Sequence, residues 1–190
     1  ILALKAALAA PTIDTTAPGA HAPISNPYAT STLGTATAPI RTTWSATDGC
    51  GISGFTLQRR TNGGSWSVQS LPSGTSTSIV QSLTFGATYR YAMKASDGAG
   101  NTTAWAYGPS FEPLLSQQTV SAVTYSGTWH PTPNSYASGG SLTYSTVAGA
   151  KASFHFTGRA VSWVAYRGPT RGSAKVYVDG VYRTTVSLYS

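Results

Sequence analysis

Side chains that could perform acid–base or nucleophilic catalysis are few in this sequence, and their spacing does not favour an active site. Hydrolysis of a glycosidic bond uses two carboxylates that flank one bond, but Asp179 is the only carboxylate after residue 113. The glycine that follows it explains Asp179 as a turn residue. A serine triad needs a histidine and a carboxylate beside an activated serine, and no Gly-x-Ser-x-Gly motif occurs. We therefore predict that the chain itself is not an enzyme.

The histidines and the single cysteine fit no catalytic arrangement either. His155 alternates with two phenylalanines and is expected on the opposite face of a strand from their rings. His130 follows a tryptophan in a predicted loop, and His21 lies in an extended segment near the N-terminus. Cys50 cannot form an internal disulfide, and a nucleophile would need a base and an orienting group beside it. It is interpreted as a free loop thiol.

Two aspartates could instead bind a metal ion. Asp48 and Asp97 each open a glycine-containing loop, and Ca²⁺ takes about six to eight oxygen ligands from carboxylates and carbonyls. The alternative is that each aspartate accepts backbone hydrogen bonds within its own turn. We favour this capping role and expect no cofactor, with structural calcium as a minor hypothesis.

Sugar recognition is the chemistry that the second half supports best. Aromatic faces can stack on a pyranose while polar or cationic groups hold its hydroxyls, and arginine offers a planar fork of donors. The segment 166–172 is attractive because glycine and proline shape a loop around two arginines. Trp163 alternates with Val161 and Ala165 and is predicted to belong to a core strand. The candidate ligand-binding residues are Trp129, His130, Tyr136, Tyr166, Arg167 and Arg171.

Composition indicates a sheet-rich extracellular protein. Only 9% of residues are charged, against roughly 25% in typical soluble proteins, and Thr, Ser, Tyr and Trp replace them, as suits pleated strands. The net charge is +7. Bases and acids nearly cancel between Thr12 and Pro113, whereas beyond Leu114 several bases face Asp179 alone. The basic second half favours an anionic or sugar-rich partner over a cationic one.

The elements that would position these residues are predicted strands. Ile1–Ala10 is the one helical pattern, and residues 1–16 are expected to be the remnant of a signal peptide or of an upstream domain. No run of about 18 apolar residues predicts membrane insertion. The proline-rich lead-in to Pro39 predicts one edge strand. Alternating runs over 40–46 and 55–60 predict strands, and Asn62-Gly63-Gly64 predicts a hairpin turn.

The run Leu83–Ala95 carries the most specific local signal in the first half. Tyr89, near the start of a predicted strand, matches a tyrosine corner, with Tyr91 and Met93 facing the same way as Tyr89. Together with the tryptophans on either side, this run resembles the fibronectin type III and related Ig-like repeats of bacterial secreted proteins. The resemblance implies a β-sandwich over residues 17–113 that acts as a spacer or adhesion module.

After a predicted linker at 114–118, the second half resembles a galactose-binding-like jelly roll. The resemblance rests on Tyr125–Trp129, on Gly149–Gly158 and on the segment from Arg167 to Gly180, in which Asp179-Gly180 predicts a type I′ hairpin. It implies a carbohydrate-binding accessory module over 119–190. Jelly rolls need about eight strands, and five or six are visible, so the module is expected to be C-terminally incomplete.

The sequence therefore predicts an all-β fold, an Ig/fibronectin-III-like β-sandwich followed by a partial jelly-roll β-sandwich. The first functional hypothesis is a non-catalytic, monomeric binding and spacer segment of a secreted or cell-surface bacterial protein, with a polysaccharide or cell-wall glycan as partner. One alternative is the accessory tail of a secreted protease or glycosidase whose catalytic domain lies outside this chain. Another is a structural adhesion stalk. Nucleic acid is not expected as a partner, because no signature for it occurs.

Overall fold

The computed structural model describes residues 13–29 and 33–190, and all regular elements within them are β-strands. The all-β prediction is confirmed, whereas the predicted helix at Ile1–Ala10 lies outside the described residues. In the described part of the chain, no helix has the length and apolar character needed to cross a membrane. The strands are β1 (Gly19–Pro27), β2 (Thr37–Thr47), β3 (Ile52–Thr61), β4 (Trp66–Gln69), β5 (Ser78–Thr84), β6 (Tyr89–Asp97), β7 (Ala106–Tyr107), β8 (Val123–Ser126), β9 (His130–Pro133), β10 (Ser141–Tyr144), β11 (Lys151–Phe154), β12 (Ser173–Val178) and β13 (Val181–Ser187).

The first seven strands form two antiparallel sheets. One sheet has the order β1-β2-β5 and the other β4-β3-β6-β7. The proline-rich lead-in supplies β1 at the edge of the first sheet, with an irregularity between His21 and Ile24, as predicted for a segment that lacks some backbone donors. Asn62 and Gly63 join β3 to β4 with φ angles of 49° and 72°, the left-handed conformation that a type I′ turn requires.

The two sheets bury between them a core that consists of two clusters of side chains. Trp44 of β2 and Ile79 of β5 pack with Leu57 of β3 and with Tyr91 and Met93 of β6. Because side chains alternate across each strand, each sheet gives one face to this core. Burial of each large apolar side chain stabilises the fold by about 1.5–3 kcal/mol. Residues from β1 to β7 therefore form an antiparallel β-sandwich.

The predicted tyrosine corner is present at the start of β6. The backbone N–H of Thr84 donates to the hydroxyl of Tyr89 at 3.0 Å. Tyr89, Tyr91 and Met93 are all buried, while Arg90 between them is half-buried on the other face. The corner ties the end of β5 to the beginning of β6 and fixes which face of β6 enters the core.

The remaining strands pair two by two. β8 pairs with β11, β9 with β10 and β12 with β13. Asp179 and Gly180 join β12 to β13 with φ angles of 52° and 76°, which confirms the predicted hairpin. The compact units of the chain are residues 1–157 and 158–190, so the division lies inside the predicted second module. The domain bounds 17–113 and 119–190 stay predictions.

The predicted core strand around Trp163 is wrong. Residues 161–165 form no strand, and the Trp163 side chain is 55% exposed. Val161 on the same expected face is also exposed. Alternation buries a face only when a second layer covers it, and the described residues of 158–190 provide a single two-stranded sheet.

Candidate ligand-binding sites

An open groove beside β8 is lined by the aromatic side chains of Tyr125 and Trp129. Trp129 lies in the turn between β8 and β9, and its Nε1 donates to the carbonyl of Ser126 at 3.1 Å. The Tyr125 hydroxyl donates to the carbonyl of Gln118 at 2.9 Å. The two rings have centroids 5.0 Å apart and planes inclined at 51°. We name this the Trp129 groove; it has a volume of about 460 Å³ and is lined by Gln118, Thr119, Val120, Ser121, Val123, Tyr125, Trp129, Pro131 and Thr143.

Sequence reasoning found Trp129 but missed Tyr125 as a site residue. Tyr125 is part of β8, where alternation with Val123 suggested an ordinary strand position. The signal that could have found it is the spacing to Trp129, since a turn after Ser126 brings the chain back over the strand. Both hydrogen bonds hold the rings through their polar ends, and both residues line the groove.

His130 and Tyr136 do not line the groove. His130 begins β9 rather than lying in a loop, which corrects the prediction for this residue. Its register partner is Tyr144 of β10, and the two rings lie 5.6 Å apart. Tyr136 is 94% exposed in the turn between β9 and β10, where its backbone N–H donates to Asn134 Oδ1. The structure therefore places neither residue among those that line the Trp129 groove.

The loop at 166–172 is held by its own arginines. The Arg171 guanidinium lies 5.4 Å from the centre of the Tyr166 ring, and Arg167 donates to the carbonyl of Tyr189 at 2.9 Å. A further bond from the N–H of Gly168 to the carbonyl of Leu188 ties the loop to the chain beyond β13. Tyr166, Arg167 and Arg171 thus lie together, and their contacts stabilise the loop itself.

The two aspartates considered for calcium each accept hydrogen bonds within their own turns. Asp48 Oδ1 accepts from the N–H of Cys50 at 2.8 Å. Asp97 is 1% exposed, and its carboxylate accepts from the N–H groups of Ala99 and Asn101 and from the Asn101 amide. Desolvation raises the pKa of Asp97, but the bonds from Asn101 and from the neighbouring backbone N–H groups outweigh it, and the pKa is lowered overall. These bonds fit the capping role.

Asp48 lies close to Asp14 and Cys50. Candidate donor atoms of Asp14, Asp48 and Cys50 lie within 4.8 Å of one another. A hydrogen bond with Asp14 and the negative charge of Asp14 raise the pKa of the Cys50 thiol, which favours the less nucleophilic protonated form. A thiol is also a poor ligand for a hard cation such as Ca²⁺. Structural calcium remains a minor hypothesis.

The comparisons with known proteins point to carbohydrate-active proteins. No protein-family model matches the chain, and no solved structure does. Over 107 residues the chain is 32% identical to an A type blood N-acetyl-alpha-D-galactosamine deacetylase of Flavonifractor plautii, covering 51% of this chain and 14% of that protein. Over 65 residues it is 38% identical to an A type blood alpha-D-galactosamine galactosaminidase of the same organism, covering 34% and 6%.

This chain is similar to short segments of glycan-processing proteins. It spans a small part of both curated relatives, so similarity to these segments does not extend to the catalytic activities for which the relatives are named. The strands and the relatives together support an all-β accessory region that is related to glycans.

Proposed function

We propose that the chain is a non-catalytic accessory region of a secreted bacterial protein and that it binds a glycan in the Trp129 groove. The pair of Tyr125, which is 38% exposed, and Trp129, which is half-buried, is tilted in an open groove and carries the proposal. Sugar-binding sites need an apolar aromatic surface with a few polar groups beside it, and Gln118, Thr119 and Thr143 supply the latter.

The sandwich of β1–β7 acts in this proposal as a fibronectin-III-like spacer. Its strand order and its tyrosine corner at Tyr89 support that assignment. The second region is proposed to be of the galactose-binding-like kind, with the ligand held by the first half of that region. Its small groove predicts modest affinity, which repeated modules would raise through avidity.

The names of the relatives suggest which sugar to test first. Both names refer to A type blood glycans containing galactosamine or its N-acetyl derivative. We propose a terminal N-acetylgalactosamine as the ligand class, since its acetamide methyl and its apolar ring face suit an aromatic pair, while its amide can bond to polar side chains.

The test is binding of the purified chain to an A type blood trisaccharide, measured by isothermal titration calorimetry. Trp129→Ala should weaken binding about tenfold, because the loss of one stacking face costs roughly 1.4 kcal/mol. Tyr136→Ala is the matched control, since that tyrosine is exposed and lies outside the groove. Equal loss in the two variants would contradict the groove as the site, and no binding of any glycan by the wild-type chain would favour the structural stalk.

A second candidate is an accessory region of a hydrolase whose catalytic part is elsewhere. The small share of each relative that the chain matches, 14% and 6% of their lengths, favours it. The chain alone should then neither deacetylate nor cleave an A type trisaccharide when products are followed by mass spectrometry. Turnover that survives repeated purification would overturn the non-catalytic assignment.

A further inference from the structure

The sandwich carries a second aromatic surface that the proposed spacer role does not use. In the sheet β4-β3-β6-β7, Tyr91 and Met93 of β6 face the core, so the alternate residues Arg90, Ala92 and Lys94 face outward. Register then aligns Trp66 of β4 with Arg60 of β3, and Arg60 with Arg90 of β6. These residues form one row across the outside of the sheet.

The next row brings a second aromatic ring onto the same face. Tyr107 of β7 pairs with Ala92 of β6, which pairs with Gln58 of β3. Strands β4 and β7 are three positions apart, or roughly 14 Å at the usual strand spacing. The rings of Trp66 and Tyr107 nevertheless have centroids only 5.5 Å apart, so both lean inward across β3 and β6. Ala92 between them is 0% exposed, as expected for a small residue covered by the two rings.

The charges of this surface are all positive. Arg90 lies 5.2 Å from the centre of the Tyr107 ring, and Lys94 lies 5.2 Å from that of Trp105. Arg60 and Arg90 are direct cross-strand partners, a placement of like charges that destabilises a sheet. Among the described residues both guanidiniums bond to backbone carbonyls, Arg60 to Gly63 and Gly64 and Arg90 to Gly108, and neither bonds to a carboxylate.

A cleft at one end of this surface is lined by both arginines. It has a volume of about 210 Å³ and is lined by Arg60, Gly63, Thr88, Tyr89, Arg90 and Ser110. The carbonyl of Gly108 accepts a bond from Arg90, and the N–H of Gly108 donates to the carbonyl of Tyr91 at 2.9 Å, so β6 holds this backbone acceptor. Each guanidinium has five N–H donors, more than these carbonyls use, so both retain donors for an anionic group.

We infer that this outer-sheet face, made of Arg60, Trp66, Arg90, Lys94 and Tyr107, binds an acidic polysaccharide. The sugar rings stack on Trp66 and Tyr107, and a carboxylate or sulfate group of the polymer enters the cleft between Arg60 and Arg90. This site deepens the proposed glycan-binding function, and it assigns to the sandwich an anionic ligand distinct from that of the Trp129 groove. An acidic polymer also offsets the repulsion between the two paired arginines.

The experiment measures binding of the full chain to polygalacturonate and to its fully methyl-esterified form, which has the same sugar rings without the charge. Affinity electrophoresis should show retardation by polygalacturonate, weakened by added salt, and at least tenfold weaker binding of the ester. Arg60→Ala plus Arg90→Ala should reduce affinity at least tenfold. The matched control is Arg41→Ala plus Arg183→Ala, which removes the same charge from other strands and should change affinity less than threefold, because only proximity to the ligand differs.

A variant that keeps the charge tests the aromatic part of the surface. Trp66→Ala should also weaken binding about tenfold, which a purely electrostatic attraction would not produce. Because Arg60 bonds to Gly63 and Gly64 in the turn between β3 and β4, its replacement by alanine also removes contacts of that hairpin. Arg60→Lys plus Arg90→Lys is therefore a second variant, and it should retain part of the affinity, since lysine keeps the charge but not the planar fork. Circular dichroism melting of each variant shows whether the sandwich is intact.

Equal losses in the two double-alanine variants would overturn the inference, because net charge alone would then explain binding. Binding of oligodeoxythymidine as tight as that of polygalacturonate would overturn it in favour of a nucleic-acid surface. Failure here is distinguishable from failure of the Trp129 groove. Trp129→Ala should leave polygalacturonate binding unchanged, and the Arg60 and Arg90 variant should leave trisaccharide binding unchanged.

Discussion

The sandwich of β1–β7 and the region from β8 to β13 are both built from alternating strands, but only the sandwich encloses a core. Among the described residues, the buried side chains of the two core clusters lie between Ala38 and Ala95, and no side chain after Pro113 is buried. In the second region, Phe154 and Phe156 stack on each other 5.4 Å apart, and yet they are 39% and 44% exposed. The same local pattern thus leads to burial in one region and to exposure in the other.

The difference shows that strand alternation defines a face, whereas a core requires a second sheet opposite that face. In the sandwich, β2 and β5 supply a layer for β3 and β6. The strands after Gln118 occur only in pairs, and two-stranded sheets are marginally stable on their own. Exposed aromatic residues are therefore available for ligands in the second region and must be sought on the outer sheet faces of the first.

The sharpest test of this comparison is the replacement of one aliphatic side chain by alanine in each region. Leu57 is 0% exposed in the core, and Leu57→Ala should lower the free energy of unfolding by about 2–5 kcal/mol. Val164 is 63% exposed, and Val164→Ala should change it by less than about 0.5 kcal/mol. Urea denaturation followed by circular dichroism measures both. A small effect at Leu57 would mean that the sandwich is not the stable part of the chain.

Loss of the tyrosine corner is expected to lower the free energy of unfolding by an intermediate amount. Tyr89→Phe removes the hydroxyl that accepts the N–H of Thr84 and should cost about 1–2 kcal/mol, because a partly buried donor loses its partner. Tyr136→Phe is the control in the second region, where the side chain is 94% exposed. If the two variants unfold at the same urea concentration, the corner contributes nothing to the stability of the sandwich.

Local chemistry made part of this fold predictable. Asn62-Gly63 and Asp179-Gly180 need positive φ angles, so their turns could be recognised from residue types alone. Tyr89 was recognisable because a tyrosine corner depends on a few neighbouring residues. The prediction of a core strand at Trp163 was wrong because the neighbouring residues carry no information on whether a second sheet covers this segment. Pairing between distant strands was also hidden, which is why Arg60 and Arg90 were not recognised as neighbours across β3 and β6.

The candidate site was predictable to a similar degree. The residue types identified Trp129, since a loop tryptophan after glycine and threonine is a plausible sugar platform. The groove itself depends on where Gln118 and Thr143 lie relative to β8, and these residues are far from Trp129 in sequence. The arginine loop at 166–172 shows the converse case. Its residue types suggested a ligand, whereas the structure uses Arg167 to bond the carbonyl of Tyr189.

Acid should expose a further difference between the regions through Asp97. Its folded-state pKa lies below the ordinary value of 3.8, so the ionised carboxylate stabilises the sandwich above pH 3.8, and this contribution is lost as the pH falls below it. Asp14 has a lowered pKa as well, through bonds with Thr16 and Cys50. Asp97→Asn should therefore reduce the loss of melting temperature between about pH 4 and pH 2 without abolishing it. An unchanged pH profile would remove Asp97 as a source of acid sensitivity.

Replacement of Trp163 is expected to have one of the smallest effects on stability, and it tests whether the segment around this residue lacks a core. A tryptophan that belonged to a core would cost about 3–5 kcal/mol when replaced by alanine. At 55% exposure outside any strand, Trp163→Ala should instead change the unfolding free energy by less than about 0.5 kcal/mol. The indole should also be quenched by acrylamide far more readily than Trp44, which is 4% exposed in the sandwich core. Protection of Trp163 from the quencher would show that a second layer covers this segment. Both regions would then enclose a core, and the contrast between them would be lost.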